Sequence, residues 1–102
     1  MKRVVVQYKV QEGKVDENQS YINAIFAELA ETKPDGVKYA AFLGDDGQTF
    51  THIAEVSTSD GSNPLTETAA FQSFQSTLKT RIETPPRASW LTRVGSYGWF
   101  EP

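Results

Sequence analysis

What narrows this chain most is the order in which its hydrophobic period changes. Residues 3–10 alternate in the manner of a strand, with Val4, Val6, Tyr8 and Val10 on one side and Val5 on the other. Ile22, Ile25, Phe26 and Leu29 then fall at i, i+3, i+4 and i+7, which is one helical stripe. The spacing predicts a helix over 16–33, with Asp16 as N-cap and Gln19 completing a capping box. Pro34-Asp35-Gly36 ends it. Residues 37–43 and 48–56 read as strands joined by Gly44-Asp45-Asp46-Gly47, a link short enough to impose an antiparallel hairpin. Asn63-Pro64 predicts the opening of a second helix over 64–83, with Phe71, Phe74, Leu78 and Ile82 as its buried stripe. Pro85-Pro86 stops that helix, and residues 90–100 form a last, aromatic strand.

The resulting βαββαβ order is the split βαβ, ferredoxin-like plan, an α+β fold. It implies a four-stranded antiparallel sheet with two helices on one face, in a single domain spanning residues 1–102. Two helices cover one face of such a sheet. Because the first strand is apolar on both sides, the other face needs a cover, and a second copy of the chain is the simplest. A homodimer is therefore expected.

Composition removes whole classes of chemistry. Without cysteine there is no disulfide, thiolate nucleophile or Cys-ligated metal, and a single histidine, His52, precludes a multi-histidine metal site within the chain. No metal and no cofactor are expected. A net charge of −3 with scattered Lys and Arg argues against a nucleic-acid partner. No apolar run is long enough for a membrane span or a signal peptide, so the expected location is cytoplasmic, away from membranes.

Strand parity places Phe50, His52, Ala54 and Val56 on one side of the third strand, toward the helices, and Thr51, Ile53 and Glu55 on the other. His52 there is either an inert hydrogen-bonded core residue or the lining of a cavity. As the one side chain whose ordinary titration lies near neutrality, it is the best candidate for proton transfer. Tyr8, Tyr39 and Tyr97, read as strand residues, could bury a ring and still offer a hydroxyl to a ligand, or serve simply as core or interface. Phe74 on the second helix is the matching apolar wall. Arg93 within the last strand either stabilises an anion or faces water at the sheet edge. Trp90 and Trp99 read as packing or interface residues, and Asp45-Asp46 as a solvated turn.

The βαββαβ order, the length, Asn63-Pro64-Leu65 and the closing Val94-Gly95-Ser96-Tyr97 resemble the dimeric α+β-barrel superfamily. Within it, the antibiotic biosynthesis monooxygenase-like domains are the most similar branch. The resemblance covers essentially the whole chain. It implies two sheets paired into a barrel, helices outside, and a small-molecule pocket between each sheet and its helices. It also implies oxidation of polyphenols or anthrones by dioxygen without metal or flavin. Haem-degrading relatives need a histidine late in the second helix, and Ser76 to Glu83 contains none. The expected function is thus a cofactor-independent monooxygenase acting on an aromatic or enolisable ligand, with His52 as base and Arg93 or a tyrosine steadying the anion. The alternatives are a non-catalytic ligand-binding or stress-associated barrel and a structural dimerisation module.

Overall fold

The computed structural model describes residues 2–98. Its elements run β1 (Lys2–Val10), α1 (Val15–Thr32), β2 (Val37–Leu43), β3 (Thr49–Val56), α2 (Ala69–Leu78) and β4 (Ile82–Trp90). The strands form one sheet in the order β2-β3-β1-β4, with every neighbouring pair antiparallel. The ferredoxin-like α+β plan is the observed one. The alternating side chains Tyr8, Val10, Phe50 and Ala54 meet Ile22 and Ile25 of α1 and Phe74 and Leu78 of α2 in a single core, so both helices lie on the same sheet face. No helix among the described residues is long and apolar enough to cross a membrane.

β1, β2 and β3 lie within a residue of their expected limits, because their periodicity is uninterrupted. The β2–β3 hairpin is closed by Asp46, whose carboxylate accepts from the backbone N–H groups of Gln48 and Thr49 and from the Thr49 hydroxyl. These bonds hold the exposed Asp46 carboxyl at about 2, below its ordinary range.

Both helix starts differ from expectation. α1 begins at Val15 after Lys14, with no side-chain cap, and Asp16 sits inside its first turn. Asn63 does cap a turn, accepting from Thr66 N–H at 3.3 Å, but that turn is a separate one. α2 starts six residues later, where Thr68 accepts from Phe71 N–H at 3.1 Å. The Glu28 carboxylate of α1 takes the N–H groups of Ala69 and Ala70 at 3.2 and 3.0 Å. A negative charge from one helix thus satisfies the orphan donors of the next, which is why the helix proper begins there.

The last third of the chain is the main correction. α2 ends at Leu78, Ile82 belongs to β4, and the strand passes through Pro85-Pro86 instead of beginning after them. Two features permit this. β4 lies at the sheet edge, and its register with β1 shifts between Gln7↔Arg87 and Lys9↔Thr84, so the prolines occupy an irregularity where ladder donors are not required. Beyond Trp90, Leu91 N–H still reaches Arg3 O at 2.9 Å, and residues 91–98 form no strand. Trp99 and Phe100, assigned to the strand by sequence, lie outside the described residues.

Glu28→Ala should cost about 1 kcal/mol by removing the shared cap of α2. Exposed Glu31→Ala, on the same helix, should stay within about 0.5 kcal/mol of wild type in the same urea titration.

Candidate functional site

Register determines what surrounds the single histidine. His52 is paired across the sheet with Val6 of β1 and Ala41 of β2. Tyr8 and Tyr39 stand two residues further along those strands, the diagonal positions on the same face. Each therefore leans toward the imidazole from one side. Tyr8 Oη lies 2.7 Å from His52 Nε2, and Tyr39 Oη lies 2.5 Å from His52 Nδ1. Both ring nitrogens are engaged, so His52 has no free lone pair to present to a ligand.

The polar chain continues into the protein. Asn18 of α1 donates through Nδ2 to Tyr8 Oη at 2.9 Å, and its Oδ1 accepts from Arg81 Nε at 2.9 Å. Arg81 is completely buried. Its other donors reach Thr77 Oγ1 at 2.7 Å and the Phe74 carbonyl at 3.3 Å, while its guanidinium lies over the Tyr21 ring, 4.2 Å from the centroid. All of these acceptors are neutral.

Burial dominates the electrostatics. It lowers His52 to about 4, so the imidazole is neutral at pH 7. It raises Tyr8 to about 12, although the hydrogen bond from Asn18 and the charge of Arg81 pull the other way. Tyr39 rises further, through burial first and the neighbouring Tyr8 second. Burial also drags Arg81 below its ordinary value, where a guanidinium remains a cation.

A cavity of about 140 Å³ opens beside this chain, between the sheet and α2 with the turn before it. Its walls are Val4, Val6 and Ala54 from the sheet, Phe71, Phe74 and Leu78 from α2, and Leu65 and Thr66 from the turn before α2. Pro86, at the β4 irregularity, also lines it. Tyr8, Tyr39 and His52 form its polar wall, with Asn63 and Gln75 as further polar neighbours, and no lining residue is acidic, Lys or Arg. The volume suits about one six-membered ring.

Of the residues singled out by sequence, His52, Tyr8, Tyr39 and Phe74 converge on this cavity; the Phe74 ring lies 5.5 Å from the imidazole and 6.1 Å from the Tyr8 ring. Arg93 and Tyr97 do not. Arg93 approaches the Glu55 carboxylate at 4.0 Å on the opposite sheet face, and Tyr97 is 96% exposed. Their placement rested on a strand over 90–100, and the strand ends at Trp90. Asn18 and Arg81 were missed as site residues. The signal was available: Asn18 lies four residues before Ile22 on the α1 stripe, and Arg81 lies seven after Phe74, in line with the stripe of α2 but beyond its end. A polar residue on an apolar stripe calls for a buried partner.

No family model matches this sequence, and no curated protein matches it. Solved structures do. One titled "putative antibiotic biosynthesis monooxygenase" from Nitrosomonas europaea superposes with TM-score 0.76 at 13% identity, covering 95% of this chain and 93% of that one. Another of that title, from Caulobacter crescentus, gives 0.74 at 18%, covering 92% and 90%. This chain shares the fold of these structures. A conserved protein from Methanosarcina mazei shares it, at TM-score 0.71 and 16% identity over 88% of this chain and 89% of that one. At such identities the likeness is one of fold.

The lowered His52 value sets a pH dependence. Between about 6.5 and 4 the unfolded chain binds a proton that the folded chain refuses, so stability is full above that window and falls as pH drops through it. Between pH 7 and 5 the loss should be about 2 kcal/mol. Urea unfolding of wild type and His52→Gln at both pH values should show this component only in wild type.

Proposed function

We propose that this protein binds a small, uncharged ring compound in the cavity between the sheet and α2 and oxidises it with dioxygen, without a cofactor. The observation that carries this reading is the wall chemistry: apolar on most sides, without acidic, Lys or Arg side chains, and with Tyr39, Tyr8 and a neutral His52 together at one side. Such a site favours a flat molecule with one oxygen to anchor, and it strongly disfavours a carboxylate or phosphate. The shared fold with structures titled as monooxygenases supports the reaction class.

The substrate then supplies the electrons. An activated methylene loses both hydrogens and becomes a carbonyl: one atom of dioxygen forms the new carbon–oxygen double bond, and the other leaves with the two hydrogens as water. A phenol goes to a quinone with the same stoichiometry. The step that the protein can assist is formation of the enolate or phenolate. A hydroxyl aimed at the oxygen where that charge develops lowers the barrier, and in a dry cavity this is worth more than in water. Tyr39 is the group placed to donate it. With both nitrogens engaged, His52 acts here through Tyr39 and takes no proton from the ligand itself, so the expected class is a ligand acidic enough to lose its proton to solvent water with that help, a 1,3-diketone or a quinol.

Hydroquinone, which would give hydroxybenzoquinone and water, and cyclohexane-1,3-dione, which would give the 1,2,3-trione and water, are suitable probes in an oxygen electrode. We expect one dioxygen consumed per substrate, a fall of about 100-fold in Tyr39→Phe, and loss of both binding and turnover in Phe74→Trp, which fills the cavity. Binding without oxygen uptake would replace the enzyme reading with that of a ligand-binding barrel, and absence of binding would defeat both.

We further propose that a second copy covers the open sheet face. Val5, Ile53, Ala40 and Phe42 form an apolar group on that face, away from the helices, with Val5 paired to Ile53 and Ile53 to Ala40. Leaving that area wet would forfeit about 25 cal/mol per Å². Sedimentation should give a homodimer, and Val5→Asp should shift it toward monomer; a wild-type monomer at micromolar concentration would overturn this.

A further inference from the structure

The hydrogen-bond chain beside the cavity has a direction, and that direction is imposed from a buried cation outside the cavity. Arg81 can only donate, so the Asn18 atom at 2.9 Å from its Nε must be the carbonyl oxygen, and the amide nitrogen must face Tyr8. Tyr8 Oη thus accepts from Asn18. Its single hydrogen then has one remaining partner, His52 Nε2 at 2.7 Å. Were Nε2 protonated instead, the Tyr8 hydrogen would be left buried and unsatisfied, at a cost that folded proteins rarely bear. Nε2 is therefore the acceptor. A neutral imidazole must carry its hydrogen on Nδ1, which donates to Tyr39 Oη at 2.5 Å. Tyr39 accepts that bond and keeps its own hydrogen.

We propose that Arg81 and Asn18 are positioning residues that hold His52 in the Nδ1–H tautomer and thereby leave the Tyr39 hydrogen as the one the chain offers to a ligand, selecting molecules with a hydrogen-bond acceptor, such as a carbonyl, over those that present only a donor. The ligand half of this rests on the cavity reading above; the tautomer half does not. The chain is built to donate. If a ligand oxygen takes the Tyr39 hydrogen, Tyr39 can draw the proton from His52 Nδ1 while Nε2 takes that of Tyr8. The negative charge then comes to rest on the Tyr8 oxygen, hydrogen-bonded to Asn18 and with Arg81 behind it. One proton has left the chain for the ligand oxygen, and the charge it leaves behind is the one on Tyr8, so the balance closes over the five residues and the ligand together. Movement in the opposite sense has no equivalent, because Asn18 and Arg81 have no acceptor to offer Tyr8. The sequence expectation of His52 as a base is thereby reversed in sign: the imidazole passes a proton toward the cavity.

Because His52 is the only histidine, ring-15N labelling yields a single pair of nitrogen signals with no assignment problem. In ligand-free wild type at pH 7, Nδ1 should appear protonated and Nε2 unprotonated. Asn18→Asp is the decisive variant. An aspartate keeps the contact with Arg81, now as an ion pair, but accepts from Tyr8, so Tyr8 must turn its hydrogen away from the histidine. The proton on His52 should then move to Nε2 and Tyr39 should donate to Nδ1. A variant that acted only on stability would leave the tautomer where it was. The Nε2–H form in wild type, or a folded Asn18→Asp with the wild-type tautomer, would overturn the proposal. The wild-type spectrum alone is decisive should the variant fail to fold.

The ligand half is read with acetophenone, an acceptor, and pyrrole, whose N–H is a donor only, titrated into the same samples. The preference for acetophenone over pyrrole should fall by about tenfold or more in Asn18→Asp. An unchanged preference beside a switched tautomer would overturn that half. Failure of both probes to bind wild type would sink the cavity reading while leaving the tautomer result standing.

Discussion

An imidazole buried between sheet and helices is the constraint on which the interior depends. Burial denies His52 its charge, and a neutral imidazole with one donor and one acceptor needs two complementary partners. Tyr8 and Tyr39 supply them from strands on either side, and their own hydroxyls create the next demand. Asn18 meets the one at Tyr8, and Arg81 meets the one at Asn18. Four of the six elements, together with the segment after α2, thus contribute a member to one connected chain. Removing any single member orphans its neighbours, so the set has to be kept or replaced together.

Legibility in the sequence followed the strength of the local signal. β1, β2, β3 and the apolar stripe of α1 were readable because nothing interrupts their periods, and parity alone put His52 on the helix side of β3, while the face of Tyr39 had to come from the register of β2 with β3. The errors begin where tertiary contacts overrule local ones. Asn63-Pro64 carries a helix-start pattern, yet the start is decided by Glu28, 41 and 42 residues away from the N–H groups it accepts. Pro85-Pro86 carries a strong stop signal, yet an edge position with shifted register admits both prolines into a strand. Everything inferred for Arg93 and Tyr97 depended on that last strand and moved with it.

Those same departures shape the cavity. The turn around Asn63 supplies Leu65 and Thr66, and the β4 irregularity supplies Pro86, as lining residues. The rest of the lining comes from β1, β2, β3 and α2, so the irregular segments complete a cavity that the regular elements begin.

The pair of prolines also bears on how copies of the chain can meet. β4 is an outer strand, and an outer strand is ordinarily open to having another laid alongside it. Pro85 and Pro86 have no N–H to donate, and both lie in the register shift of this strand. The missing donors and the bulge together deny an incoming strand a regular ladder over this stretch. Sheet-to-sheet polymerisation through that border is therefore discouraged by the backbone itself, whatever the side chains are.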